Sequence, residues 1–271
     1  MATERDYILG THQAELERLG LQHRIWRSNA LQAWRSAGFS SGQTILDIGS
    51  GPGYASLDLA GIVGSAGRVL AVDRSRLFLD ALNEQNARLG VANIETLELD
   101  LDEEPLPAVQ ADGAWSRWVF CFVREPRLLL EKVRDALRPG GTFVSYEYFD
   151  YSTWRLSPRS APFEEFVATV MKSWRANGGE PDIGLDLPIW LPQSGFKIQS
   201  VRPIVEVVGP SDFFWQWPKA FVEIGTERLE GVGYMTGDQA AKVRESFSEA
   251  ELNPHALVIT PAVLEIIAVR Q

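Results

Sequence analysis

What most narrows the fold is an alternation repeated through the first 150 residues: a short apolar run, a break rich in glycine or acid, then helical periodicity. TILDIG (44–49) reads as a buried strand, and YASLDLAGIVG after Gly53 as a helix. RVLAVDR (68–74) and SRLFLDALNEQNARLG (75–90), closed by Gly90, form the next pair, and NIETLELD (93–100) is a third strand. AWSRWVFCFV (114–123) predicts a fourth strand running on into a loop. PRLLLEKVRDALRPGG (126–141) predicts a helix ended by Pro139 and two glycines, and TFVSYEYF (142–149) a fifth strand. Five such β/α units in order predict an α/β chain with a doubly wound parallel sheet, because parallel neighbours require crossover connections.

The flanks read differently. Leu16, Leu19, His23, Trp26, Ala30 and Trp34 recur at three to four residues, which predicts one amphipathic helix over 7–37, ended by Gly38. After residue 150, Phe163, Phe166, Val167, Val170, Met171 and Trp174 mark an inserted helix opened by Pro162 and closed by Gly178. KIQSVRPIVEVVG (197–209) resumes the sheet, 211–252 is helical and aromatic-rich, and LVITPAVLEIIAVR (257–270) supplies a last strand. No repeat or long linker divides the chain, so 1–271 reads as one domain with a core at 40–150. Residues 1–37, 150–195 and 210–254 are the candidates for a helical cover over a substrate pocket.

Composition removes several functions. One cysteine, Cys121, allows neither an intramolecular disulfide nor a cysteine zinc cluster, and His12, His23 and His255 have no metal-ligand spacing, so no metal is expected. Glu4, Arg5 and Asp6 stand where a signal peptide needs an apolar core, and no stretch nears the roughly 18 apolar residues of a membrane span. A soluble, cytoplasmic protein is the expectation. A net charge of -10 without a basic stripe argues against nucleic acid as a partner.

The chemistry centres on Asp47-Ile48-Gly49-Ser50-Gly51-Pro52-Gly53, between a strand and a helix, where exposed backbone N–H groups meet nucleotide-like ligands. A dinucleotide fingerprint would place its third glycine one residue later, at the position Tyr54 occupies, so a nicotinamide oxidoreductase is disfavoured. An acid before Gly-x-Gly-x-Gly resembles motif I of the class I S-adenosylmethionine-dependent methyltransferases, and within them the ubiquinone and menaquinone biosynthesis type. The resemblance covers roughly 40–150. It implies a seven-stranded, mostly parallel Rossmann-like sheet with helical lid elements, and S-adenosyl-L-methionine as cofactor, leaving S-adenosyl-L-homocysteine as product. It also implies that Gly49, Ser50, Gly51 and Gly53 let the methionyl part approach the backbone, and that Asp73, with Arg74 beside it, accepts the ribose hydroxyls. Asp100 and Leu101 then meet the adenine, Ser116 and Arg117 stand beside the cofactor, and Leu137-Arg138-Pro139-Gly140-Gly141 matches the turn before the fifth strand.

Plainer readings remain beside these. Asp73 could instead cap the helix of 75–90. Gly38-Phe39-Ser40-Ser41-Gly42 spells a hydrolase elbow but precedes a strand, which leaves the serine without its turn. His23 lies on an apolar face, where a satisfied structural histidine is the commoner finding. Glu147 and Tyr148 end the fifth strand where a methyl group would emerge, although Glu147 could equally face solvent or pair with arginine. Glu147, Tyr148 and His23 are therefore the candidate bases. Trp154, Phe163, Trp174, Phe213, Phe214, Trp215 and Trp217 read mainly as core, with some available to line a pocket. No Asn/Asp-Pro-Pro-Tyr motif follows the fourth strand. The expected function is methyl transfer to a small apolar or aromatic metabolite, with a cofactor-binding regulatory protein as the alternative.

Overall fold

The structure, a computed structural model, describes residues 13–271; the expected helical start at 7–12 lies outside them. The elements run α1 (Gln13–Ser36), β1 (Thr44–Ile48), α2 (Tyr54–Val63), β2 (Arg68–Asp73), α3 (Arg76–Leu89), β3 (Ile94–Glu98), β4 (Ala111–Arg117), α4 (Pro126–Ala136) and β5 (Leu137–Asp150). The second half adds β6 (Arg155–Ser157), α5 (Ala161–Ala176), α6 (Leu187–Gln193), β7 (Phe196–Ile204), β8 (Val207–Val208), α7 (Gln216–Gly231), α8 (Gly237–Leu252), β9 (Leu257–Ile259) and β10 (Ala262–Arg270).

Seven strands form the main sheet in the order β3-β2-β1-β4-β5-β10-β7. The first five pair in parallel, while β10 runs antiparallel to both β5 and β7. Ile45, Leu46 and Ile48 of β1 are fully buried, as a strand covered on both faces requires. The chain leaves β1 toward β2 on one side and returns at β4 on the other. This reversal opens a crevice past the carboxyl ends of β1 and β4, where open α/β sheets take their ligands.

Four expectations need correction. Only three β/α units are complete, because β3 leads into a turn over Asp100–Glu104 closed by the Glu103 and Glu104 N–H groups on the Asp100 carbonyl. α4 stops at Ala136 and Leu137–Gly141 open β5 instead: Pro139 has no N–H to donate to a helix, and it pushes Arg138 out of helical geometry. The stretch 197–209 is interrupted, with β7 in the main sheet and β8 in a separate three-stranded sheet of order β6-β9-β8. The stretch 257–270 splits likewise, β9 in the small sheet and β10 in the large one. At that second break Thr260 donates its N–H to the Glu206 carbonyl and accepts the Glu206 N–H on its hydroxyl, 3.0 and 3.1 Å. Pro261 follows with no N–H to continue a ladder.

Aromatic packing fixes α1 to the sheet. Trp26 meets Trp118, Tyr146, Phe214 and Trp217 edge-on, at centroid separations of 5.0–6.2 Å. Trp154, Phe163, Trp174, Trp215 and Trp217 are buried, whereas Phe213 is exposed. Among the described residues no helix is long and apolar enough to cross a membrane.

Candidate cofactor and acceptor site

The turn after β1 depends on glycine twice for packing and once for access. Gly49 has φ +63°, and a Cβ there would stand 2.5 Å from Val119 Cγ2. Gly53 has φ +77°, and its Cβ would fall 2.3 Å from Leu82 Cδ1, so it lets α2 approach α3. Gly51, at φ +54°, would meet only Leu19 at 3.8 Å, and its backbone borders open space.

At the end of β2, Asp73 accepts the Gly51 N–H on Oδ2 and the Ser75 N–H on Oδ1, each at 2.8 Å. It therefore ties the glycine turn to β2, and each oxygen keeps a lone pair for a ligand. Burial pushes its carboxyl above the ordinary value against those amides. The capping alternative falls to Ser75, whose Oγ accepts the Phe78 N–H at the start of α3.

Deeper in the crevice, Asp47 is buried and accepts from Ser56 Oγ at 2.5 Å; burial pushes its carboxyl up to about 6. Burial likewise lowers Arg117 to about 10, with the Asp47 charge opposing. The Arg117 guanidinium lies 5.2 Å from the Trp118 ring centroid, and its Nη1 is buried without a partner among the described residues. At the third loop, Asp100 Oδ1 accepts the Asp102 N–H at 3.0 Å, and Lys132 Nζ donates to the Leu101 carbonyl at 2.6 Å.

These groups meet in a cavity of about 530 Å³. Nine of the expected cofactor residues line it: Asp47, Gly49, Ser50 and Gly51 from the first turn, Asp73 and Arg74 from the second, Asp100 and Leu101 from the third, and Arg117 at the end of β4. Gly53 and Ser116 do not. Gly53 is taken up by α2–α3 packing, and Ser116 faces the sheet interior, its Oγ 3.1 Å from Ser145 Oγ.

Of the candidate bases only Tyr148 reaches the cavity. Successive strand side chains point to opposite faces, so Glu147 turns away from it. Its carboxylate accepts the N–H groups of Val119, Phe120 and Cys121 at 2.8, 2.9 and 3.3 Å, and burial pushes it up to about 7 against them. Glu147 is thus the anchor of the loop after β4. His23 is likewise outside the lining, with Nε2 on Asp58 Oδ2 at 3.0 Å.

The opposite wall contains residues the sequence did not single out. Trp118, at φ +53°, stacks on Tyr148 with centroids 5.3 Å apart, and Val119 and Phe122 follow it into the lining. A bulky residue in left-handed geometry is strained and stays there because its surroundings over-determine it. Leu19 and Gln22 of α1, Asn177 after α5 and Phe221 of α7 complete this wall, with Trp174 of α5. The apolar helical stripes and the density of aromatics in these segments pointed to such a wall without fixing its members.

Residues 46–145 match the family described as "Methyltransferase domain". A ubiquinone/menaquinone biosynthesis C-methyltransferase from Cellvibrio japonicus is 28% identical over 127 residues, 46% of this chain and 50% of that protein. The chain spans about half the length of the curated relatives it matches. The fold resembles geranyl diphosphate C-methyltransferase from Streptomyces coelicolor A3(2), solved with S-adenosyl-L-homocysteine: TM-score 0.58, 16% identity, 92% of this chain and 77% of that one. It also resembles the [4+2]-cyclase SpnF, with TM-score 0.58, 17% identity and coverage of 90% and 80%.

Sheet order, glycine turn and the matched segment together resemble the class I S-adenosylmethionine-dependent methyltransferases, with the sequence match confined to residues 46–145. The donor set fits S-adenosylmethionine: a glycine with open space before it, a carboxylate with spare lone pairs at the end of β2, and a buried guanidinium N–H without a partner among the described residues.

Proposed function

We propose that this chain transfers a methyl group from S-adenosylmethionine to a small, largely apolar or aromatic acceptor. The observation that carries the reading is a single cavity that joins the glycine turn, Asp73 and Asp100 to the aromatic wall of Trp118, Tyr148 and Trp174. The bound cofactor supplies a methyl group on a sulfonium, already activated toward nucleophiles. Asp73 holds the ribose hydroxyls, Asp100 with Leu101 meets the adenine, and Gly51 lets the methionyl part lie against the backbone. The aromatic wall excludes water and holds the acceptor flat, so that orientation rather than proton transfer does most of the work. Tyr148 is the acceptor's polar contact among the candidate bases. One domain performs the reaction, α1, α5 and α7 serving as its cover.

A second reading stands because a shared fold does not fix the activity, this fold being found also in a protein named a cyclase: the cavity binds the cofactor without transferring its methyl group. One experiment separates the two. Methyl-labelled cofactor is incubated with the protein and, in parallel, a small-molecule metabolite fraction, a protein extract and total RNA. Label in the low-mass organic fraction supports the proposal, and label confined to RNA or protein overturns the acceptor class. Tight binding of S-adenosylhomocysteine by calorimetry with no labelled product favours the second reading; binding of NADH in its place overturns both.

A further inference from the structure

His23 and Asp58 stand outside the cavity but connect to it through Arg117. Asp58, on α2, receives Arg27 Nε at 2.7 Å and Nη2 at 3.0 Å. Burial raises its carboxyl, but the hydrogen bonds from His23 and Arg27 outweigh that and hold it below its ordinary value. An ionised carboxylate only accepts, so His23 Nε2, 3.0 Å away, carries the ring proton. In the neutral imidazole this leaves a lone pair on Nδ1, and 3.5 Å from it lies Nη2 of Arg117, a group that only donates. The two ends of the guanidinium thus differ: Nη2 faces the imidazole, and Nη1 is a buried donor without a partner among the described residues. The side chain lines the cavity.

We propose that Arg117 anchors a carboxylate of a ligand in the cavity, and that neutral His23, fixed by Asp58, is the positioning residue that aims it. The inference rests on the methyltransferase reading of this cavity. A guanidinium presents its N–H groups as a planar fork that matches a carboxylate. Two ligands can supply one, the methionyl part of the cofactor or the acceptor. The groups facing the His23 ring are Asp58 and Tyr54 of α2, Arg117 at the end of β4 and Arg27 of its own helix, Tyr54 stacking at 6.2 Å. Burial first, then Arg117 and Arg27, hold His23 below its ordinary value of 6.5, with Asp58 opposing. Protonation puts an N–H on Nδ1 against the guanidinium, so acidification turns Arg117 away and disarms the anchor.

The test is calorimetric, from about pH 5 to 8.5, with two probe pairs: S-adenosylhomocysteine against its decarboxylated analogue, and 1-naphthoate against 1-naphthamide. For one pair, the carboxylate is expected to bind wild type about tenfold tighter than its partner at pH 8, and to lose that advantage on acidification. An advantage in the first pair assigns the anchor to the cofactor, and in the second to the acceptor. Arg117→Gln and His23→Leu should remove it, whereas His23→Gln, which cannot be protonated, should keep it and flatten the pH profile. Nitrogen chemical shifts should show His23 protonated at Nε2, with its titration moving to higher pH in Arg117→Gln. The idea is overturned if wild type binds S-adenosylhomocysteine yet neither pair shows an advantage sensitive to Arg117, or if the proton sits on Nδ1. A purely structural His23 would lower stability in both variants and leave the pH profile in place. Absence of S-adenosylhomocysteine binding by wild type would instead remove the methyltransferase reading beneath.

Discussion

The two walls of the cavity are built differently. On the cofactor side, the contacts come from backbone and short polar side chains at or just beyond the ends of β1, β2 and β3: Gly49 to Gly51, Asp73 and Asp100. On the other side, large side chains arrive from α1, α5, α7 and the loop after β4, separated by up to two hundred residues of chain. A turn held in left-handed geometry against Val119 and Leu82 tolerates few residue types. An aromatic wall accepts other apolar side chains of similar volume. Changes on the first wall should therefore abolish cofactor binding or folding, and changes on the second should retune the acceptor.

The severest break in that comparison comes from Gly53→Val, because overpacking against Leu82 adds to a left-handed backbone. A loss on the order of 3 kcal/mol in denaturant unfolding is expected. Gly51→Ala, with no neighbour nearer than 3.8 Å, should lose only about 1 kcal/mol of stability while weakening S-adenosylhomocysteine binding. Equal stability losses in the two variants would mean that the cofactor wall is not divided into packing and access positions.

Asp73→Ala removes the acceptor of the Gly51 and Ser75 amides and, on the proposed reading, of the ribose hydroxyls. Calorimetry should show S-adenosylhomocysteine bound about 1 to 3 kcal/mol more weakly, and unchanged affinity would take Asp73 out of the site.

Glu147→Gln tests whether Glu147 supports the opposite wall rather than the chemistry. The new amide cannot accept three N–H groups through two oxygens, so a stability loss of about 2 kcal/mol is expected with cofactor affinity intact. Its folded-state value is raised from 4.5 to about 7, so the contribution of Glu147 is fully present below pH 4.5 and declines as pH rises through 7. The stability gap between wild type and Glu147→Gln should accordingly narrow over that window. A gap that widens with pH would show the ionised carboxylate to be the form the fold prefers.

Phe221→Leu should be mildest, with less than about 1.5 kcal/mol lost from stability and cofactor affinity within about twofold, but altered relative turnover across an acceptor panel. An unaltered acceptor profile would remove α7 from the acceptor wall.

Much of the cofactor wall was legible because its spacing is short-range. A glycine turn and an acid at a strand end are consecutive residues, and the strand before them places them in one crevice. Within a strand, adjacency does not mean a shared site: Glu147 and Tyr148, like Ser116 and Arg117, are consecutive and face opposite sides of the sheet. Helical composition runs on to Arg138, whereas α4 ends at Ala136 because Pro139 has no N–H for a helix and excludes helical geometry at Arg138.

The chain by itself determined the parallel core, its glycine turn, Asp73 and Asp100, since each follows from local backbone geometry and hydrophobic periodicity over a few residues. Only tertiary structure decided which aromatics face the cavity, that Glu147 anchors a loop, and that His23 reaches Arg117 across 94 positions of sequence. Those outcomes depend on which faces of distant helices and strands come together. That choice is made by burial of the whole core, and no local pattern encodes it.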